Sequence, residues 1–83
     1  MLFSQVLGTF ITEWEAGAAV CRQLFGSAAT AQRAAHQLAS IAACYGFEGW
    51  LVNIENDLNP SNVDHVFLFL RCALLCCFLT IQA

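Results

Sequence analysis

The chain has 83 residues, room for one small domain. It is 59% hydrophobic and 11% charged, with three arginines, no lysine and six acids; ordinary soluble chains carry about 25% charged residues. The net charge of −3 leaves no basic patch to meet phosphates, so nucleic acid is not an expected partner.

An isolated domain of this size buries only about 60% of its unfolded surface, so it needs polar residues to cover the remainder. This composition supplies too few. The chain therefore reads as a piece of something larger, or as one that meets a membrane or a partner. Its cysteines are Cys21, Cys44, Cys72, Cys76 and Cys77. The number is odd, Met1 to Ser4 offer no basic start to a secretory signal, and Gly8 and Thr9 break the apolar run from Val6. A disulfide framework is not expected, and a reducing, cytosolic setting is.

Residues 5–12, QVLGTFIT, combine β-branched and aromatic residues with no charge, which predicts a strand buried on both faces. Glu13, Trp14 and Glu15 follow. Acids suit the first turn of a helix, and a short helix over 15–25 is expected. Gly26 stops it and Ser27 caps the next. From Ala28 to Cys44 the composition is helical and alanine-rich. Ala31, Ala35, Leu38, Ala42 and Tyr45 form one stripe at helical spacing, with Arg33, His36 and Gln37 largely off it. Gly46 fits the left-handed position after a helix.

Residues 50–55 predict a second strand. Asn59 to Asn62 make a turn in which Pro60 suits a first helical position, and VDHVFLFLRCALLCCFLTIQA reads as one helix, apolar almost all round. Two apolar strands joined by a helical crossover pair in parallel. One such unit cannot cover both faces of its sheet, which again implies part of a larger α/β fold.

The stretch YGFEGWLVNIENDL, residues 45–58, carries the chemistry. In a strand, residues two apart share a face, so Asn53 and Glu55 project together and Ile54 points the other way. The turn-forming residues come next, which puts the pair at the C-terminal end of its strand. In α/β barrels and open α/β sheets ligands bind at that edge. A carboxylic acid among apolar neighbours and Trp50 could hold a proton near neutral pH and deliver it to a leaving oxygen. The preceding amide could fix a polar group of a substrate. Spacing alone leaves a second reading open, in which Glu55 begins a loop and Asn53 caps backbone groups.

Two longer blocks bear on that choice. VLGTFITEW at 6–14 and YGFEGWLVNIEN at 45–56, with a helical segment between, together resemble the cytosolic endo-β-N-acetylglucosaminidases of glycoside hydrolase family 85. The resemblance covers residues 6 to about 58. It implies a partial (β/α)8 TIM barrel of about two parallel strands with their helices, and a substrate among N-linked glycans or free oligosaccharides with a chitobiose core. It also implies that Glu55 is the general acid/base and that Asn53 orients the substrate's 2-acetamido group. That group's carbonyl oxygen then attacks the anomeric carbon, so no enzyme nucleophile is needed. This route lies outside the usual two-carboxylate scheme. Neither a cofactor nor a metal is expected.

Glu13 and Trp14 end the first strand, on the same rim as Glu55 if the strands are parallel. A substrate-binding role for both is one reading; helix-start acidity and core packing is the other. Glu48 stands where the family usually shows Asp, beside the active strand, and Trp50 is expected in the core. His36 reads as a solvated helical residue. His65 with Cys72, Cys76 and Cys77 invites a zinc reading. However, no C-x-x-C pair occurs and neighbouring thiols on a helix diverge by about 100°, so buried inert thiols are expected.

The expected division is 1–58, a fragment of a glycoside hydrolase barrel, and 59–83, a divergent apolar C-terminal helix. Residues 66–83 carry one charge, Arg71, and are near the lower length limit for a membrane span. Only 12 of them follow Arg71, so a membrane anchor is the less favoured reading. Isolated from the other strands, the segment is expected to be inactive. A non-catalytic truncated product is the alternative to an enzyme.

Overall fold

The computed structural model describes residues 6–76 and 78–81. Gln5, the expected start of the first strand, and Cys77 lie outside the described residues. The elements run β1 (Leu7–Thr12), α1 (Trp14–Leu24), α2 (Ala28–Tyr45), β2 (Gly49–Ile54), α3 (Pro60–Cys76) and β3 (Phe78–Ile81). The strands form one parallel sheet in the order β1-β2-β3. β1 and β2 align from Leu7 opposite Gly49 to Thr12 opposite Ile54.

The helix signals act locally as expected. Ser27 caps α2, its Oγ accepting from the Thr30 N–H at 3.1 Å. Gly46 ends α2 at φ 75°, and its N–H donates to the Ala42 carbonyl. Of the α2 stripe, Ala31, Ala35, Leu38 and Ala42 are buried. Tyr45 is not; it is 72% exposed, because the stripe drifts off the sheet at the last turn of the helix.

The period of two along β1 and β2 divides the sheet into a covered and an open face. Gly8, Phe10 and Thr12 sit opposite Trp50, Val52 and Ile54, and these side chains meet the helices. Phe25, Phe69, Val52 and Thr12 are fully buried there. Phe69 of α3 joins the layers, its ring 5.5 Å from Phe10 and 5.3 Å, edge-on, from Phe25. Trp50, a core residue as expected, is 6% exposed and donates its indole N–H to the Leu38 carbonyl at 3.0 Å. Gly8 makes room for it: a Cβ there would lie 2.5 Å from the Trp50 ring.

Two expectations are corrected. The first concerns β1, which is not buried on both faces. Thr9 and Ile11 are exposed, Ile11 by 48%, since the helices that contact the core lie on the covered side. The second concerns the tail, which is not one helix. α3 ends at Cys76, and Phe78–Ile81 return to the sheet as β3, parallel to β2 with Gly49 opposite Phe78 and Val52 opposite Ile81. β-Branched and aromatic residues favour a pleated, half-buried position, and the edge of β2 offers one. The described residues of the 66–83 span thus divide between two elements. Among the described residues no helix is long and apolar enough to cross a membrane.

Candidate active site

Asn53 and Glu55 come together at the C-terminal edge of β2. The alternation places Asn53 on the open face, beside Ile11 of β1 in the register. Glu55 follows the last residue of β2, yet its backbone is still held by the sheet, its N–H donating to the Thr12 carbonyl at 2.9 Å. The Asn53 side chain donates from Nδ2 to Glu55 Oε1 at 3.3 Å. Asn53 is half-buried and Glu55 exposed. The apolar enclosure expected around Glu55 is not supplied by Trp50, which faces the helices from the other end of the strand.

Glu13 and Trp14 lie on the same rim, because β1 is parallel to β2 and ends at Thr12 opposite Ile54. Both are exposed, Trp14 by 81%. Core packing therefore does not account for Trp14. Glu13 occupies the N-cap position of α1, but its side chain makes no capping bond; its carbonyl accepts from the Gly17 N–H at 2.9 Å. Trp14 has φ 59°, a left-handed backbone that a residue with a Cβ adopts at a cost of about 1–2 kcal/mol. Such outliers persist only where the surroundings hold them.

A residue absent from the expected site reaches this turn. Asn56, immediately beyond Glu55, donates from Nδ2 to the Trp14 carbonyl at 2.9 Å. Its Oδ1 is buried, without a hydrogen-bond partner among the described residues, and rests against Gly17. A Cβ on Gly17 would collide with that oxygen and lie 2.8 Å from the Thr12 backbone. A glycine at this position lets α1, the end of β1 and the loop after β2 meet. Nothing in the spacing of the sequence connects residue 56 to residues 14 and 17; only the parallel pairing does.

The remaining candidates are elsewhere. Glu48 precedes β2, and its N–H donates to the Val6 carbonyl at 2.8 Å. It is at the opposite edge of the sheet, roughly 20 Å from Glu55 at strand rise. His36 is exposed on α2. His65 packs Nδ1 against the Phe25 carbonyl at 2.6 Å, which ties α3 to the end of α1. Among the described residues no group of three or more His, Cys, Asp or Glu is placed to hold a metal. Cys21, Cys44 and Cys72 are free thiols, and the side chains of Cys76 and Cys77 lie outside the description.

The rim thus offers a carboxyl group able to give or take a proton and an amide that both donates and accepts. Beside them stand a second carboxylate and a flat indole face. The sequence model described as "Glycosyl hydrolase family 85" matches residues 4–74, past Leu58 and into α3. The chain is 51% identical over 67 residues to the "Cytosolic endo-beta-N-acetylglucosaminidase" of Gallus gallus, covering 80% of this chain and 9% of that one. To the Mus musculus protein of the same name it is 48% identical over 67 residues, again 80% and 9%. To "Cytosolic endo-beta-N-acetylglucosaminidase 1" of Arabidopsis thaliana it is 46% identical over 65 residues, 78% and 10%. The chain therefore spans about a tenth of the length of these curated relatives. No solved structure matches it. With a family match over most of its length and relatives near half identity over about four-fifths of it, the chain belongs to glycosyl hydrolase family 85.

Proposed function

We propose that this chain carries the acid/base segment of an endo-β-N-acetylglucosaminidase that cleaves the chitobiose core of N-linked glycans. The observation that supports it best is the contact between the Asn53 amide and the Glu55 carboxylate on the C-terminal rim of a parallel sheet, in a chain whose relatives bear that activity in their names. Glu55 protonates the glycosidic oxygen as the C–O bond breaks. The carbonyl oxygen of the substrate's 2-acetamido group, oriented by Asn53, attacks the anomeric carbon and forms an oxazolinium-type intermediate. Glu55, now a carboxylate, takes a proton from water as that water opens the intermediate. Glu13 and Trp14 line the sugar site, the indole offering a flat apolar face and the carboxylate accepting from hydroxyl groups.

The three strands form an arc of a (β/α)8 barrel. Its helices are outside, on the covered face, and the open face bearing Ile11 and Asn53 is its interior. The names of the relatives and the free thiols support action in the cytosol. The same open face supports a second reading for the 83 residues by themselves, that of a non-catalytic segment, since nothing among the described residues closes the barrel over Glu55.

The experiment is a transplant. Residues 6–74 replace the matching segment of a full-length relative, and release of a fluorescent high-mannose glycan from its asparagine-linked core is measured. Activity is expected with this segment in place. Glu55→Gln should lower it by about 10²- to 10⁴-fold, the usual contribution of a general acid/base. Unchanged turnover in Glu55→Gln sinks the catalytic assignment. The isolated chain is expected to release no glycan; release by it would remove the second reading.

A further inference from the structure

Building on the proposed glycan site, we infer that Asn56 is a positioning residue that holds Trp14 in place on the rim beside Glu55. The Trp14 side chain, 81% exposed, gains little from its place in the fold, yet its backbone sits at φ 59°. Only its surroundings can keep it there. Besides the bonds within α1 itself, two hydrogen bonds reach this turn: Gly17 N–H on the Glu13 carbonyl, and Asn56 Nδ2 on the Trp14 carbonyl at 2.9 Å.

The second of these crosses 42 residues of sequence and comes from the residue next to Glu55. Gly17 gives it access, because any side chain there would strike Asn56 Oδ1 and the Thr12 backbone. One net hydrogen bond and one left-handed non-glycine residue are of similar size in free energy. Loss of the Asn56 donor is thus expected to loosen the turn where it enters α1. Since Glu55 is held to Thr12 by its own N–H, Asn56 couples the main chain that carries the acid to the main chain that carries the indole.

The test reads Trp14 against an internal control. Trp50 is buried and its indole is bonded to Leu38, so it reports on the core. In the native 83-residue chain labelled with nitrogen-15, the Trp14 backbone amide should show the same fast-timescale rigidity as the amides of β1 and β2. In Asn56→Ala, and in Asn56→Asp, which keeps the shape and loses the donor, that amide should become loop-like while both Trp50 signals stay unchanged. A Trp14 amide that remains rigid in both variants overturns the inference. Joint loss of Trp14 and Trp50 order also overturns it, since Asn56 would then serve the fold as a whole.

A titration with a high-mannose oligosaccharide carrying a chitobiose core forms the second arm. Binding should weaken by about three- to ten-fold in Asn56→Ala, the cost of ordering a freed side chain. If the oligosaccharide binds neither the 83-residue chain nor a full-length relative carrying residues 6–74, the glycan reading of the rim fails, and the mobility result still decides the role of Asn56.

Discussion

Asn53 and Glu55 are two residues apart, and that spacing alone put them on one face at one end of a strand. The structure adds the contact, Nδ2 to Oε1 at 3.3 Å. If Asn53 orients an acetamido group, its loss should affect the step in which that group attacks, and no other. In the transplanted segment, Asn53→Ala is expected to lower glycan hydrolysis by about 10²-fold or more, the penalty for losing the reacting geometry. A preformed sugar oxazoline should still serve as donor. Undiminished hydrolysis removes Asn53 from this role. Legibility was uneven at this scale. Trp50 was readable as core because aromatic and β-branched neighbours surround it. Glu13 and Trp14 were ambiguous, since a strand end and a helix start share the same residue types. Asn56 was not readable at all, because its partners are 42 and 39 residues away and only folding selects them.

Among the elements, helix limits were the most legible, because each is set by local chemistry. Ser27, Gly46 and Pro60 all stand where their caps and dihedrals require. The tail strand was not, because Cys76 to Ile81 contain no glycine, proline or amide to mark a break. An apolar run without punctuation does not distinguish helix from strand, and the free edge of β2 decided it. Two glycines near helix ends give a contrast that tests these packing arguments. At Gly46 nothing lies within 4 Å of an added Cβ, so only its φ of 75° resists substitution. Gly46→Ala should cost about 1–2 kcal/mol, the left-handed penalty alone. At Gly17 φ is not the obstacle; the obstacles are Asn56 and the Thr12 backbone. Gly17→Ala should cost about 1–3 kcal/mol through overpacking, and it should also displace Asn56 from Trp14. Urea unfolding of both variants checks the order, and amide shifts at residues 13–17 should move only for Gly17→Ala.

Across the whole molecule, one face of the sheet carries the core and the other carries the candidate chemistry. Phe69 is fully buried against Phe10 and Phe25, whereas Ile11, on the strand beside Phe10, is 48% exposed. Burial thus predicts different costs for neighbouring apolar positions. Phe69→Ala should destabilise the chain by about 3–5 kcal/mol, as large-to-small core changes do. Ile11→Asn should change its stability by no more than about 0.5 kcal/mol, as at an ordinary surface position. In a full-length relative carrying this segment the second result should reverse. If the open face is the interior of a (β/α)8 barrel, an asparagine at residue 11 would be buried without assured partners and would cost about 1–3 kcal/mol. Paired unfolding curves, one on the 83-residue chain and one on the full-length host, decide the matter. A small effect in both would mean that the open face is not a barrel interior. A large effect in the short chain would mean that the face is already covered, by another copy of the chain or by residues outside those described. Only a small effect alone and a large one in the host fits an arc whose acid and amide gain their enclosure from the remaining strands.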